Sequence, residues 1–296
     1  MLGTYVIGLR EGFEAALIVA ILVAYLVRSG QRGAVRQAWL GVGAAVALSV
    51  LLGLGLSFVD EALSDTAATA FAGIMSLVAV GLITWMIFWM ASRGRRIRDH
   101  LHGELDKALA ASGIAVAAVA FAAVTREGVE TALFLWAGIR SSGATAAPVI
   151  GALLGLATAV VIGVLLYRGA IRLNMAKLFL WTGIALVIVA AGVLRYAVHE
   201  FQELGWLPGE DAHAFDVSAT ISPDGPVGVI LRGLFNLTPT MTWLELAAWA
   251  AYLVIVMAAF LAVALRRPPA TRGTAGSDVG AAAPTLSGAG SPGTGA

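Results

Sequence analysis

Two short segments of this chain carry the residues best suited to chemistry. They are Arg10-Glu11-Gly12-Phe13-Glu14 and Arg126-Glu127-Gly128-Val129-Glu130, both of the form R-E-G-x-E. On an α-helix, positions three or four apart share a face. Glu11 therefore stands beside Glu14 and Glu127 beside Glu130, while Arg10 reaches Glu14 and Arg126 reaches Glu130 across one turn. Four converging carboxylates would make an all-oxygen cage. Such a cage suits hard cations such as Mg²⁺, Ca²⁺, Mn²⁺ and oxidised iron, and does not suit Cu(I). Two arginines against four glutamates leave a formal excess of negative charge, and they would hold the cage together and moderate its affinity. The glycine inside each motif costs helix propensity but lets another backbone or a ligand come close.

Both segments lie within long apolar runs. Of the 296 residues, 59% are apolar and 12% charged, against roughly 25% charged in soluble domains, so lipid is the expected solvent. Cysteine is absent, which excludes disulfides, thiolate metal sites and cysteine nucleophiles. Stretches near the bilayer-crossing length of about 20 residues cover 4–27, 38–59, 68–92, 113–139, 146–168, 177–199 and 242–265. This pattern predicts an all-α fold: a polytopic integral membrane protein of seven transmembrane helices, its membrane domain spanning residues 1–266. Residues 267–296 are mostly Pro, Gly, Ala, Ser and Thr without apolar periodicity, and are expected to form a disordered cytoplasmic tail.

Ionised residues near a bilayer centre cost about 2.5–3.5 kcal/mol each, so six unpaired ones would cost on the order of 15–20 kcal/mol. Ion pairing within each motif lowers that cost but does not explain why the pattern occurs twice. The plain alternative to a binding site is a pair of interhelical salt bridges with no ligand.

Fourteen of the nineteen basic residues follow the first, third, fifth and seventh stretches: Arg28, Arg32, Arg36, Arg93, Arg95, Arg96, Arg98, Lys107, Arg168, Arg172, Lys177, Arg266, Arg267 and Arg272. The positive-inside rule then sets the N-terminus outside and the C-terminus in the cytoplasm of a plasma (cytoplasmic) membrane. The first and fourth spans run in opposite directions with their motifs at similar depth. Spans 1–3 and 4–6 thus have the arrangement of a 3+3 inverted repeat with a site at the interface, followed by one further helix.

Other groups carry weaker signals. Arg195, His199 and Glu203 are spaced four apart on one helical stripe beside Glu200. They form a candidate first binding point for incoming metal, a contact of Arg195 with a motif glutamate, or simply an interfacial cap. Asp60, Glu61 and Asp65 would attract cations, although a solvated acidic loop is the simpler reading. The stretch 99–106, with His100 and His102, reads as an amphipathic connector or as a receiver for exiting metal. Trp85, Met86, Trp89 and Met90 read as an aromatic belt with packing methionines. The apolar piece Val227 to Leu237 would dock as a short interfacial or re-entrant helix.

With the doubled R-E-G-x-E motif in the first and fourth of seven spans, the chain resembles the oxidase-dependent iron permeases, that is, the bacterial EfeU-type transporters and the fungal high-affinity iron permeases. The stretch from His199 to Trp206 is also similar to that family's sixth-span end. The resemblance covers most of residues 1–265. It implies iron uptake from the outer side, with Glu11, Glu14, Glu127 and Glu130 as iron ligands and Arg10 and Arg126 as their supporting ion pairs. It also implies an extracytoplasmic ferroxidase or iron-binding partner. Iron, Fe²⁺ or Fe³⁺, would be the transported substrate, and no permanently bound cofactor and no nucleic-acid partner are expected.

Three alternatives stand beside iron transport: transport of another divalent metal such as Mn or Pb, a proton-coupled solute transporter using the Arg–Glu pairs as switches, and a membrane di-iron oxidase. Di-iron bundles use Glu-x-x-His on two helices. The four histidines, His100, His102, His199 and His213, all fall at or beyond the predicted helix ends, so a transporter rather than an enzyme is expected.

Overall fold

Each apolar stretch folds as a long helix. In chain order these are α1 (Leu2–Arg28), α2 (Arg32–Ala62), α3 (Asp65–Arg93), α4 (Gly113–Ser141), α5 (Ala146–Tyr167), α6 (Met175–Glu203) and α7 (Trp243–Ala264). The computed structural model describes residues 1–93, 104–105, 107–109, 112–142, 146–170, 174–216 and 237–265. The tail 267–296, nearly all of the stretch 99–106 and residues 227–236 of the apolar loop piece lie outside the described residues.

Five of the helices, α2, α3, α5, α6 and α7, are long and apolar enough to cross a membrane. Helices α1 and α4 match them in length, at 27 and 29 residues, but carry the motif charges. The chain is an all-α polytopic membrane protein with one small addition. His213–Asp216 (β1) and Thr240–Thr242 (β2) pair as a two-stranded antiparallel ribbon with a bulge between His213 and Phe215. The ribbon closes the base of the long loop before α7, which the periodicity of the sequence alone does not announce.

Helix boundaries follow local chemistry. The Ser112 side chain accepts from the backbone N–H of Ala115 at the start of α4, and Asn174 accepts from that of Lys177 at the start of α6; both are cap interactions that satisfy otherwise orphaned amides. Helix α7 opens on a full capping box, with Thr242 and Glu245 bonding each other's backbone N–H. Beyond α1 and α6 the chain turns through Gly30 and Gly205, at φ 77° and 70°, a left-handed conformation that glycine adopts without steric cost.

Residues Met1–Leu265 form one compact unit. Within it α1 packs mainly on α5, α2 on α4, and α3 on α6, with α7 laid against α6. The first two contacts rely on glycine. A Cβ on Gly8 would meet the Ala152 carbonyl oxygen at 2.7 Å, and one on Gly41 would collide with the Ala117 carbonyl. Backbones approach this closely only where side chains are small, the usual device of helix pairs in lipid.

Two apolar clusters fill the interior. One gathers Ile83, Met86 and Ile87 of α3, Leu186 and Ala190 of α6 and Phe134 of α4. The other gathers Leu22 and Leu26 of α1, Val42 of α2 and Val116 and Val124 of α4. On α1 the first motif falls between Ile7 of one cluster and Leu22 of the other, and on α4 the second falls between Val124 and Phe134. Outward faces are apolar, with Leu51, Leu54 and Phe58 of α2, Leu153 and Val160 of α5 and Val254 and Ile255 of α7 exposed, as lipid-facing surfaces require.

Candidate metal site

The antiparallel contact of α1 with α4 brings the two motifs together. Glu11, Glu14 and Glu127 each offer a carboxylate oxygen, and these oxygens lie within 4.8 Å of one another. All three are buried, Glu11 completely. Glu14 and Glu127 come from different helices, and carboxylates this close repel each other unless a proton or a cation lies between them. Glu130 is buried too but stands outside this trio, its Oε1 taken by Arg126 Nε at 3.2 Å.

Within each helix the ion pairs have the spacing expected. Arg10 Nε lies 3.1 Å from Glu14 Oε1, and Arg10 Nη1 lies 3.8 Å from Glu11 Oε1. Arg126 Nε lies 4.0 Å from Glu127 Oε1. These contacts leave much of the carboxylate capacity unused. Both oxygens of Glu11 and Oε2 of Glu127 and of Glu130 are buried without a hydrogen-bond partner among the described residues, and so are Oε1 of Glu14 and Nε and Nη1 of Arg10, whose ion pairs lack hydrogen-bond geometry. Buried polar atoms are nearly always satisfied, and exceptions call for an explanation. A divalent cation bound by several of these oxygens would supply one, because it offsets the excess charge of four carboxylates against two guanidiniums.

The motif glycines do not line this space. A Cβ on Gly12 would meet Ala159 Cβ at 2.9 Å, and one on Gly128 would collide with Ser49 Oγ. Each lets a neighbouring helix approach, α5 in one case and α2 in the other, rather than a ligand.

Helix α3 closes the cluster: Met86 and Met90 pack in the core as expected and Trp85 is exposed, while Trp89 and Met90 also meet the motif arginines. Arg10 Nη2 donates to Met90 Sδ at 3.2 Å. The Arg126 guanidinium carbon sits 4.4 Å from the Trp89 ring centroid and 5.8 Å from that of Trp85. Met86 alone of the four is simply a core side chain, 1% exposed.

The remaining sequence candidates fall elsewhere. Arg195 and His199 turn toward Glu245 of α7, with Arg195 Nη1 at 3.6 Å from Oε2 and His199 Nδ1 at 2.8 Å from Oε1. Glu203, on the same stripe, is exposed, whereas Glu200 is buried and accepts from the Tyr196 hydroxyl. Asp60 and Glu61 belong to the last turn of α2 and Asp65 opens α3. Asp60 pairs with Arg140 of α4 at 3.0 Å, so it serves as an interhelical tie, while Glu61 and Asp65 remain exposed. Glu245 belongs to none of the sequence motifs above, and its signal in the sequence is an acid inside an apolar span, set in a Thr-x-x-Glu capping box.

Comparison with known proteins identifies the family. The profile described as the iron permease FTR1 family matches residues 1–266. The chain is 39% identical over 266 residues to a protein of Escherichia coli O6:H1 named ferrous iron permease EfeU, covering 87% of this chain and 94% of that one. It is 35% identical over 282 residues to the ferrous iron permease EfeU of Yersinia pestis, covering 94% and 97%. A further relative, from Escherichia coli K12, is named a putative inactive ferrous iron permease EfeU and is 38% identical over 262 residues. No solved structure matches. On the extent of these matches, the chain belongs to the iron permease FTR1 family.

Proposed function

We propose that this protein moves iron inward across the cytoplasmic membrane, and that Glu11, Glu14 and Glu127 bind the ion in transit with Glu130 as a fourth ligand. The observation that carries this reading is the convergence of three buried carboxylates whose oxygens lie within 4.8 Å of one another and are largely unsatisfied. An all-oxygen donor set suits iron and other hard or borderline cations. Relatives named ferrous iron permeases make Fe²⁺ the cargo to test first.

The proposed topology is seven spans, with the N-terminus outside and the clustered arginines in the cytoplasm. The proposed inverted repeat draws support from the packing. Exchanging helices α1–α3 for α4–α6 turns the α1–α5 contact into the α4–α2 contact, and these are the two most extensive in the bundle. Gly12 meets α5 as Gly128 meets α2. An extracytoplasmic partner that oxidises or delivers iron completes the proposal.

Uptake of radiolabelled Fe²⁺ into proteoliposomes under anaerobic conditions tests the site. Glu14→Gln should abolish uptake while the protein still inserts. Normal uptake by Glu14→Gln would reject the ligand assignment. Competition by Mn²⁺ and Pb²⁺ in the same assay reads out selectivity.

A further inference from the structure

The two motifs repeat in sequence but not in geometry. Arg10 is sealed, with 3% of its side chain exposed, and lies against Met90 Sδ. Arg126 keeps 38% of its side chain exposed and lies over the Trp89 ring, with Trp85 next along α3. The two indoles are themselves 6.4 Å apart, a continuous aromatic strip one helical turn long. Their glutamate partners differ to match. Glu14, paired with Arg10, belongs to the converging trio, whereas Glu130, paired with Arg126, does not.

Oε2 of Glu130 is open to a cation but Oε1 is held by Arg126, so a cation that takes both oxygens must take Oε1 from the arginine. Loosening that ion pair is costly unless something else meets the guanidinium charge. The face of an indole does so, through its quadrupole, and tryptophan does it better than tyrosine or phenylalanine. At 4.4 Å the guanidinium already rests on Trp89. An arginine held there keeps its place when Glu130 gives up the contact.

We propose that Trp89, backed by Trp85, is a positioning residue for the fourth ligand: it holds the Arg126 guanidinium so that Glu130 is released to an arriving divalent cation and recaptured when the cation leaves. This rests on the transport reading above, and Trp89 acts on the ion only through Arg126 and Glu130.

The test is Fe²⁺ uptake into anaerobic proteoliposomes by Trp89→Tyr, Trp89→Phe and Trp89→Leu, with rates normalised to inserted protein. KM should rise in that order, by about five- to tenfold for Trp89→Leu, the fold-change of one lost cation–π contact, with maximal rate held. In an Arg126→Gln background, Trp89→Leu should change KM no further. A flat KM across the ring series overturns the proposal. So does an effect confined to maximal rate or protein level, or a Trp89→Leu effect of equal size without Arg126. If Trp89→Leu fails to insert, the tyrosine and phenylalanine variants still decide the order. Glu14→Gln in the same vesicles separates the two levels: uptake lost there with a flat tryptophan series defeats only this inference, and uptake retained there defeats the ligand assignment itself.

Discussion

Two charged clusters in this bundle, each built around buried glutamate, end in opposite states. At the α1–α4 contact, two arginines meet four glutamates and many carboxylate oxygens lack hydrogen-bond partners. At the α6–α7 contact, one arginine and one histidine meet one glutamate whose two oxygens are both engaged. Glu245 receives His199 on Oε1, and Arg195 and the Thr242 backbone N–H on Oε2. The Thr242 hydroxyl donates in turn to Gln202 at 2.9 Å, and Gln202 donates to the Pro208 carbonyl. Buried charge in a membrane span is therefore not enough to mark a binding site. A satisfied network fixes one geometry and acts as a latch, whereas four carboxylates against two guanidiniums, with atoms of both left without hydrogen bonds, leave an excess of negative charge that a cation would offset.

Matched substitutions should pull the two clusters apart, and the largest effect belongs to the first. Glu127→Gln keeps the shape of the side chain but removes a charge from the trio, so Fe²⁺ uptake should be lost while thermal stability in detergent changes little. Glu245→Ala should do the reverse. Removing one partner of a buried ion pair costs about 3–5 kcal/mol. The expected result is a clear fall in Tm with uptake per folded molecule retained. Wild-type uptake by Glu127→Gln, or loss of uptake by fully stable Glu245→Ala, would break the comparison.

How far the sequence announces these arrangements depends on the range over which each is specified. The helices are local: apolar length defines them, and Ser112, Asn174 and Gly30 mark their ends. The two motifs are local as well, since i,i+4 spacing alone pairs Arg10 with Glu14 and Arg126 with Glu130. What spacing cannot convey is the partner across a helix contact. Trp89 and Met90 have the composition of an interfacial belt, and only the tertiary approach of α3 turns them toward Arg126 and Arg10. The stripe of Arg195, His199 and Glu203 reads as one unit. It divides because Glu245 arrives from a helix some forty residues later and takes the first two alone. Asp60 likewise reads as loop charge until Arg140 of α4 comes to meet it.

Below the charged clusters in expected size comes the packing that sets the distance between helices. Gly41 and Gly43 are two residues apart on α2 but face different surroundings. A Cβ on Gly41 would collide with the Ala117 backbone of α4, whereas one on Gly43 meets nothing within 4 Å. Gly41→Ala should force α2 from α4 and cost about 1–3 kcal/mol, as overpacking does. Gly43→Ala should be neutral or stabilising by up to about 1 kcal/mol through helix propensity. Opposite Tm shifts for the pair would tie the α2–α4 contact to stability; equal shifts would show that helix propensity alone is being read.

The smallest effect tests whether the latch is separable from the proposed metal site. Thr242→Ala removes the side chain that caps α7 and the hydroxyl that donates to Gln202, but leaves Glu245, His199 and Arg195 in place. Loss of such a cap costs about 1 kcal/mol, so a modest fall in Tm is expected with KM for Fe²⁺ unchanged. Ser112→Ala offers the same chemistry at the start of α4, where the hydroxyl accepts from Ala115 N–H at 3.2 Å in an exposed setting, and should cost no more. A rise in KM with Thr242→Ala but not with Ser112→Ala would mean that the α6–α7 latch communicates with the glutamates of α1 and α4. A Tm shift alone in both leaves the two clusters independent: one holds the bundle together, and the other is left to bind the ion.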